Sequence, residues 1–182
     1  QKLEHGDFKA LVGFKTKIFA STFNDGTLVF ESDDFNNHLL IREPLRINSI
    51  AILNKNQLWI ATDDNGVSVI DANTNAELFT LNVANGLSVP NVRQVLQDRQ
   101  SNIWMATSGG GLYKYFQNNF KHFNTETGLN GNRVYAVHHA DNAIWISNSE
   151  AGLMRIDNFG IHKISKTNKE TKYGCRNCNS VK

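Results

Sequence analysis

Short apolar runs of strand length, each closed by a polar or glycine-bearing turn, succeed one another along most of the chain. The clearest series starts at Asn91. Asn91-Val92-Arg93-Gln94-Val95-Leu96 is rich in β-branched residues and partly alternates, as a half-buried strand does. Asp98 to Asn102 forms a polar turn, and Ile103-Trp104-Met105-Ala106-Thr107 is an apolar run of the kind covered on both faces. Ser108-Gly109-Gly110 makes the next turn, and Gly111-Leu112-Tyr113-Lys114-Tyr115 reads as a third strand. Phe120-Lys121-His122-Phe123 alternates and is more polar, which suits an outer edge strand. Nowhere does the pattern take the amphipathic period of a helix.

The same order recurs. It predicts strands at Phe8–Val12, Ile18–Thr22, Thr27–Phe30 and Leu39–Ile41, and again at Ile47–Leu53, Leu58–Thr62, Val67–Ile70 and Leu78–Leu81. A last set covers Val134–His138, Ile144–Ser147, Leu153–Ile156 and His162–Ile164. Phe19, Trp59, Trp104 and Trp145 mark one step of this rhythm, at intervals of 40, 45 and 41 residues. Three residues on stand Thr22, Thr62, Thr107 and Asn148; seven on stand Gly26, Gly66, Gly111 and Gly152. Four short strands per forty-odd residues, with a large ring on the second, describe a β-propeller blade.

The expected fold is therefore all-β, with four four-stranded repeats at about 3–41, 47–81, 91–123 and 132–164 inside a repeat region 1–165. Four repeats allow a closed four-bladed ring, half of a ring shared by two chains, or part of a larger propeller. The last two leave blade edges through which self-association is expected. Trp59, Trp104 and Trp145 are expected between blades, where each ring buries ~150–250 Å². Gly66, Gly111 and Gly152 are expected to let the second hairpin turn tightly beside the neighbouring blade, with Thr62 and Thr107 capping that turn through their hydroxyls.

The stretch Gly86-Leu87-Ser88-Val89-Pro90-Asn91-Val92, followed by Asp98, Asn102-Ile103-Trp104, Thr107 and Gly110-Gly111-Leu112, resembles the two-component regulator propeller repeat. Gly128-Leu129 to Asn132 and Val134, with Ile144-Trp145 and Gly152-Leu153, is similar to a second copy, and Leu58-Trp59-Ile60-Ala61-Thr62 with Gly66 keeps part of a third. Beyond about residues 47–157 little of the pattern remains. The resemblance implies the extracytoplasmic, periplasmic or extracellular sensor portion of a hybrid two-component system. Such proteins are common in Bacteroidetes-like bacteria, and many respond to oligosaccharides. In that family an immunoglobulin-like domain, a membrane helix and a histidine kinase follow the propeller, and complete propellers have more blades than four. A binding scaffold in a surface or secretion assembly is the alternative.

Charge adds an asymmetry to this picture. The net charge is +2, yet residues 163–182 carry +5 and the remainder −3. The basic segment 166–182 reads as a solvated tail or linker. Cys175-Arg176-Asn177-Cys178 within it is half of a zinc-ribbon pattern, and no other cysteine completes it, so no metal or cofactor is expected. The repeats hold no basic stripe with interleaved aromatics, which argues against nucleic acid, and no apolar run approaches the ~20 residues that span a membrane. His138 and His139 are adjacent on a strand and point to opposite faces. No Ser/His/Asp set or paired carboxylates suggest an enzyme.

In a propeller, the turns between second and third strands share one face with the connections between blades. That face would present Asp25, Asp63, Asp64, Asn65, Ser108 and Glu150 from the turns, and Asn91, Asn132 and Arg133 from the connections. Amides, hydroxyls and carboxylates around a depression suit a polyhydroxylated ligand such as an oligosaccharide, which needs many directional hydrogen bonds.

Overall fold

Every apolar run of the rhythm becomes a strand, and each set of four closes into its own antiparallel sheet. The computed structural model describes residues 8–22, 26–42, 46–116 and 119–164. The first blade is β1 (Phe8–Phe14), β2 (Lys17–Thr22), β3 (Thr27–Glu31) and β4 (Asp34–Arg42), and the second is β5 (Ile47–Leu53), β6 (Gln57–Thr62), β7 (Val67–Asp71) and β8 (Glu77–Leu81). The third is β9 (Val92–Gln97), β10 (Ile103–Thr107), β11 (Leu112–Phe116) and β12 (Asn119–Phe123). The fourth is β13 (Val134–Ala140), β14 (Ala143–Asn148), β15 (Gly152–Asp157) and β16 (Gly160–Ile164).

Within a sheet the strands lie in chain order, and β1, β5, β9 and β13 pack side by side as the inner lining of an arc. The arc does not close. Of the arrangements the sequence left open, the closed four-bladed ring is thus not the one adopted. Strand ends also shift: β1 runs on to Phe14 and turns at Lys15, whose φ of 55° is left-handed, instead of stopping at Val12.

Blade packing has a direction. Phe19 of β2 lies against Ile50, Leu58, Ile60 and Ile70 of the second blade. Trp59 lies against Val92, Val95, Ile103 and Tyr113 of the third, and Trp104 against Val137, Ile144, Ile146 and Met154 of the fourth. Each ring is handed forward onto the apolar rear of the next sheet. Trp145 obeys the same geometry: it pairs in register with His138 and Arg155, on the face opposite Ile144 and Ile146, and so points away from the third blade. It is half-buried, with the Arg155 guanidinium 5.9 Å from its ring centre.

The turn between second and third strands explains the Thr and Gly positions. Thr22, Thr62 and Thr107 each donate a hydroxyl proton to the glycine carbonyl four residues on, at 3.3, 2.9 and 2.7 Å. In the fourth blade Asn148 takes over, its Oδ1 accepting from the Ala151 N–H at 2.6 Å. Gly66 and Gly111 have φ of +70° and +83°, and a Cβ there would collide with the carbonyls of Leu81 and Phe123. The crowding comes from the fourth strand of the same blade and not, as expected from sequence, from the neighbouring blade. Around Gly152 nothing lies within 4 Å, so only its φ of +75° favours glycine.

Two connections between blades are built alike. Val83–Asn85 and Thr125–Thr127 are single 3-10 turns, closed by reciprocal side-chain bonds of Asn82 with Asn85 and of Asn124 with Thr127. Each ends on a glycine of positive φ, Gly86 or Gly128, and the next residue, Leu87 or Leu129, is only 3% exposed. The Gly-Leu lead-in is therefore a stop followed by a core plug.

Candidate functional site

The β6–β7, β10–β11 and β14–β15 turns and the starts of the inner strands meet at one end of the blades through backbone bonds. Asp63 N–H donates to Arg46 C=O at 2.7 Å, Ser108 N–H to Asn91 C=O at 3.0 Å, and Ser149 N–H to Arg133 C=O at 3.3 Å. The turn of one blade is also tied to the connection leading into the next. Gly66 N–H reaches Pro90 C=O at 2.8 Å, and Gly111 N–H reaches Asn132 C=O at 2.7 Å. These bonds join the turns and strand starts of neighbouring blades into one rim.

All four inner strands carry an irregularity at the same point of this rim. The register slips between Phe8 and Ala10, Ile47 and Ser49, opposite Ala106/Thr107 on β9, and between Val134 and Ala136. The extra residues are Lys9, Asn48, Arg93 and Tyr135. A bulge re-aims the side chain it inserts, and a bulge repeated in every blade arrays four such side chains along the arc's inner edge. Asn48 Nδ2 uses this placement to donate to Val92 C=O of the next blade at 2.9 Å.

The rim's best-formed cluster centres on Asp63. The Asn91 amide donates to its carboxylate, and Arg93 Nη1 lies 3.6 Å from the same oxygen. Asn91 Oδ1 and Arg93 Nε are both buried without a hydrogen-bond partner. Asp63 connects this cluster to a depression of ≈ 380 Å³, which it lines together with Lys9, Arg46, Ile47 and Asn48. One unused acceptor and one unused donor thus flank an acid and several cations, a set that can hold hydroxyls or a carboxylate.

The residues expected from sequence fall on this rim with unequal freedom. Asn91 joins the Asp63 cluster. Ser108 pairs with Arg133 across the third and fourth blades. Asn132 is largely committed, its Oδ1 accepting from Thr125 N–H at 2.8 Å. Glu150 is exposed and its carboxylate lies over Gly131, where a Cβ would strike it. Asp64 and Asn65 are exposed, and Asn65 N–H bonds Thr62 Oγ1 at 3.0 Å as part of the turn. Asp25, Cys175 and Cys178 lie outside the described residues.

Sequence reasoning placed Asp63 among the turn residues of this face but did not select Arg93, Arg46 or Lys9. The only signal for them was a polar or charged residue flanking the first position of each inner strand, and that becomes informative only once the bulge is seen. Among the described residues no three His, Cys, Asp or Glu side chains gather as a metal site requires. No helix among them is long and apolar enough to cross a membrane.

Comparison with known proteins bears on the fold and on one repeat. The family model for the two component regulator propeller matches residues 86–109, the lead-in and first two strands of the third blade. No curated protein is similar enough to match. Among solved structures, the fold is similar to one described as the extracellular domain of the hybrid two component system BT3049 from B. thetaiotaomicron, with a TM-score of 0.75 and 16% identity over 90% of this chain and 25% of that one. The extracellular domain of a one component system, BT4673, from the same organism gives 0.67 and 16% over 87% and 24%. PorZ, a surface component of the type-IX secretion system of Porphyromonas gingivalis, gives 0.63 and 17% over 82% and 25%. The chain spans about a quarter of the length of these structures.

Proposed function

We propose that this chain is part of an extracytoplasmic sensor propeller of a two-component-type regulator, and that its rim takes an oligosaccharide. The observation that carries the ligand reading is the Asp63 cluster, where Asn91 Oδ1 and Arg93 Nε are buried without partners beside a depression. Buried polar atoms are nearly always paired in folded proteins, so two adjacent exceptions mark a place where a ligand's hydroxyls would complete the bonding. The family match in the third blade and the likeness to extracellular receptor domains support the sensor setting. Ligand on the rim would bridge turns of different blades and shift their packing, which a downstream domain would read.

The test is calorimetry of the intact receptor's propeller against a glycan panel, with Arg93→Gln and Asn91→Ala as variants. Binding of a glycan that weakens about tenfold or more in either variant supports the rim. Binding indifferent to both, or none across the panel, overturns it.

A protein-binding scaffold is the second reading, and self-association through blade faces is its simplest form. Exposed apolar residues favour it: Leu11 and Leu40 on the first blade are 64% and 43% exposed, and Leu153 beside Trp145 is 43% exposed. A stoichiometric protein partner, with stability indifferent to sugars, would decide for this reading.

A further inference from the structure

A crevice of ≈ 800 Å³ lies between the third and fourth blades, and it involves none of the rim side chains discussed above. It is lined by the β9–β10, β13–β14 and β15–β16 turns, which sit at the other end of the blades from the rim. Its origin is visible in the register. Across the second blade the forward-facing row is Trp59, Val69 and Phe79, and it meets Tyr115 and Phe120 of the third. Across the third blade the same row is Trp104, Lys114 and Lys121, and the facing positions on the fourth are Ile156 and Ile161. Two lysines and two isoleucines stand where the neighbouring junction has one valine and three aromatic rings. The space those rings would fill is open.

The charges of the crevice do not cancel locally. Lys114 Nζ sits 5.5 Å from the centre of the Trp104 ring, and Lys121 Nζ 5.1 Å from that of Phe123. Among the described residues neither ammonium has a carboxylate partner. Of the two lining carboxylates, Asp157 is neutralised by Arg155, while Asp98 is saturated by neutral donors and keeps its charge, so the two ammoniums leave an excess of positive charge. Asp98 accepts from Trp104 Nε1 at 2.8 Å and from Asn102 Nδ2 at 2.8 Å, while Asp157 pairs with Arg155 at 2.7 Å and His162 at 3.2 Å. Phe159 stands at the margin, 91% exposed, and Gln100, Asn142 and Asn158 add amides.

We propose that this crevice binds an acidic sugar ring of the uronate class. Its carboxylate would sit between the ammoniums of Lys114 and Lys121, its C–H face against Phe159, and its hydroxyls among the amides. A cavity of this volume falls in the ~300–1,000 Å³ range of small-molecule sites. The two lysines give a preference for an anion, and the amides and exposed ring give a preference for a sugar over a bare inorganic anion.

The probe is trigalacturonate, titrated by calorimetry into the full chain, with maltotriose and sodium sulfate as the neutral and inorganic controls. Trigalacturonate should bind, lose about tenfold in affinity in Lys121→Gln or Lys114→Gln, lose affinity again in Phe159→Ala, and weaken as salt is raised. Lys121 and Phe159 are exposed, so those two variants keep the test valid should Lys114→Gln fold poorly. Arg93→Gln, on the rim, should leave this binding unchanged. Equal binding of maltotriose or sulfate overturns the proposal, as does affinity unchanged in Lys121→Gln and Phe159→Ala, or no binding at about 10 mM probe. Loss in Arg93→Gln alone would move the acid to the rim and likewise overturn it.

Discussion

The second and third blades meet around Trp59, the third and fourth around Trp104, and the two junctions differ in everything that surrounds those rings. Trp59 is fully buried among Phe79, Tyr115 and Phe120, with ring centres 5.8 Å away for the first two. Trp104 has, among the described residues, a single aromatic neighbour, Phe123, stacked at 5.7 Å, with Lys114 over its own ring and Lys121 over that of Phe123. The indole nitrogens differ as well: Trp59 donates to the Gln57 amide at 3.1 Å, Trp104 to the Asp98 carboxylate at 2.8 Å. One junction is a filled core. The other spends part of its packing on charge and space, which is how a repeat acquires a site without losing its fold.

The largest effect should come from removing the packed ring. Trp59→Ala is expected to cost about 3–5 kcal/mol in urea denaturation, whereas Trp145→Ala, half-buried on a face with no further described blade, should cost about 1 kcal/mol or less. Similar losses for both would mean that something covers the Trp145 face in solution.

Next comes the titratable anchor. Burial acts to raise the Asp98 carboxyl, but the bonds from Trp104, Asn102 and Gln100 outweigh it and hold the group below its ordinary 3.8. Its stabilisation is therefore complete above that value and fades as pH falls through the lower folded one. Asp98→Asn should cost about 1–3 kcal/mol at neutral pH, and the gap to wild type should narrow as the medium is acidified below 3.8. The junction at Trp59, anchored by an amide, should show no such narrowing. A pH-independent gap for Asp98→Asn would break this contrast.

The smallest change sharpens it. Filling the crevice with Lys121→Phe and Ile161→Phe, in imitation of the junction at Trp59, should raise stability by about 0.5–1.5 kcal/mol and abolish trigalacturonate binding together. Stability gained with binding retained would place the sugar elsewhere.

The blade rhythm was legible in the sequence because burial and turn geometry act at fixed steps. The ring on the second strand, the threonine that caps the turn and the glycine crowded by Leu81 or Phe123 each restrict one position to few residue types. The rim was legible only as a place. Asn132 and Asn65 were expected there, yet both hold turns, because turns favour the same amides that ligands do. Arg93 and Lys9 left no distinctive mark, since a bulge residue looks like any other strand residue until the register is known. The crevice was out of reach for a related reason. Lys114 and Lys121 read as ordinary polar positions on β11 and β12, and only alignment with Val69 and Phe79 shows that they replace packing.

The forward direction of every ring restricts the symmetry of any assembly built on these faces. A two-fold contact between identical surfaces would set Trp145 against Trp145 and leave both copies of the Leu11 and Leu40 surface bare. A head-to-tail contact would repeat the seating of Trp104 on Ile144 and Ile146. Contacts of that second kind produce closed rings, the smallest being two chains that share one ring about a two-fold axis, or open filaments.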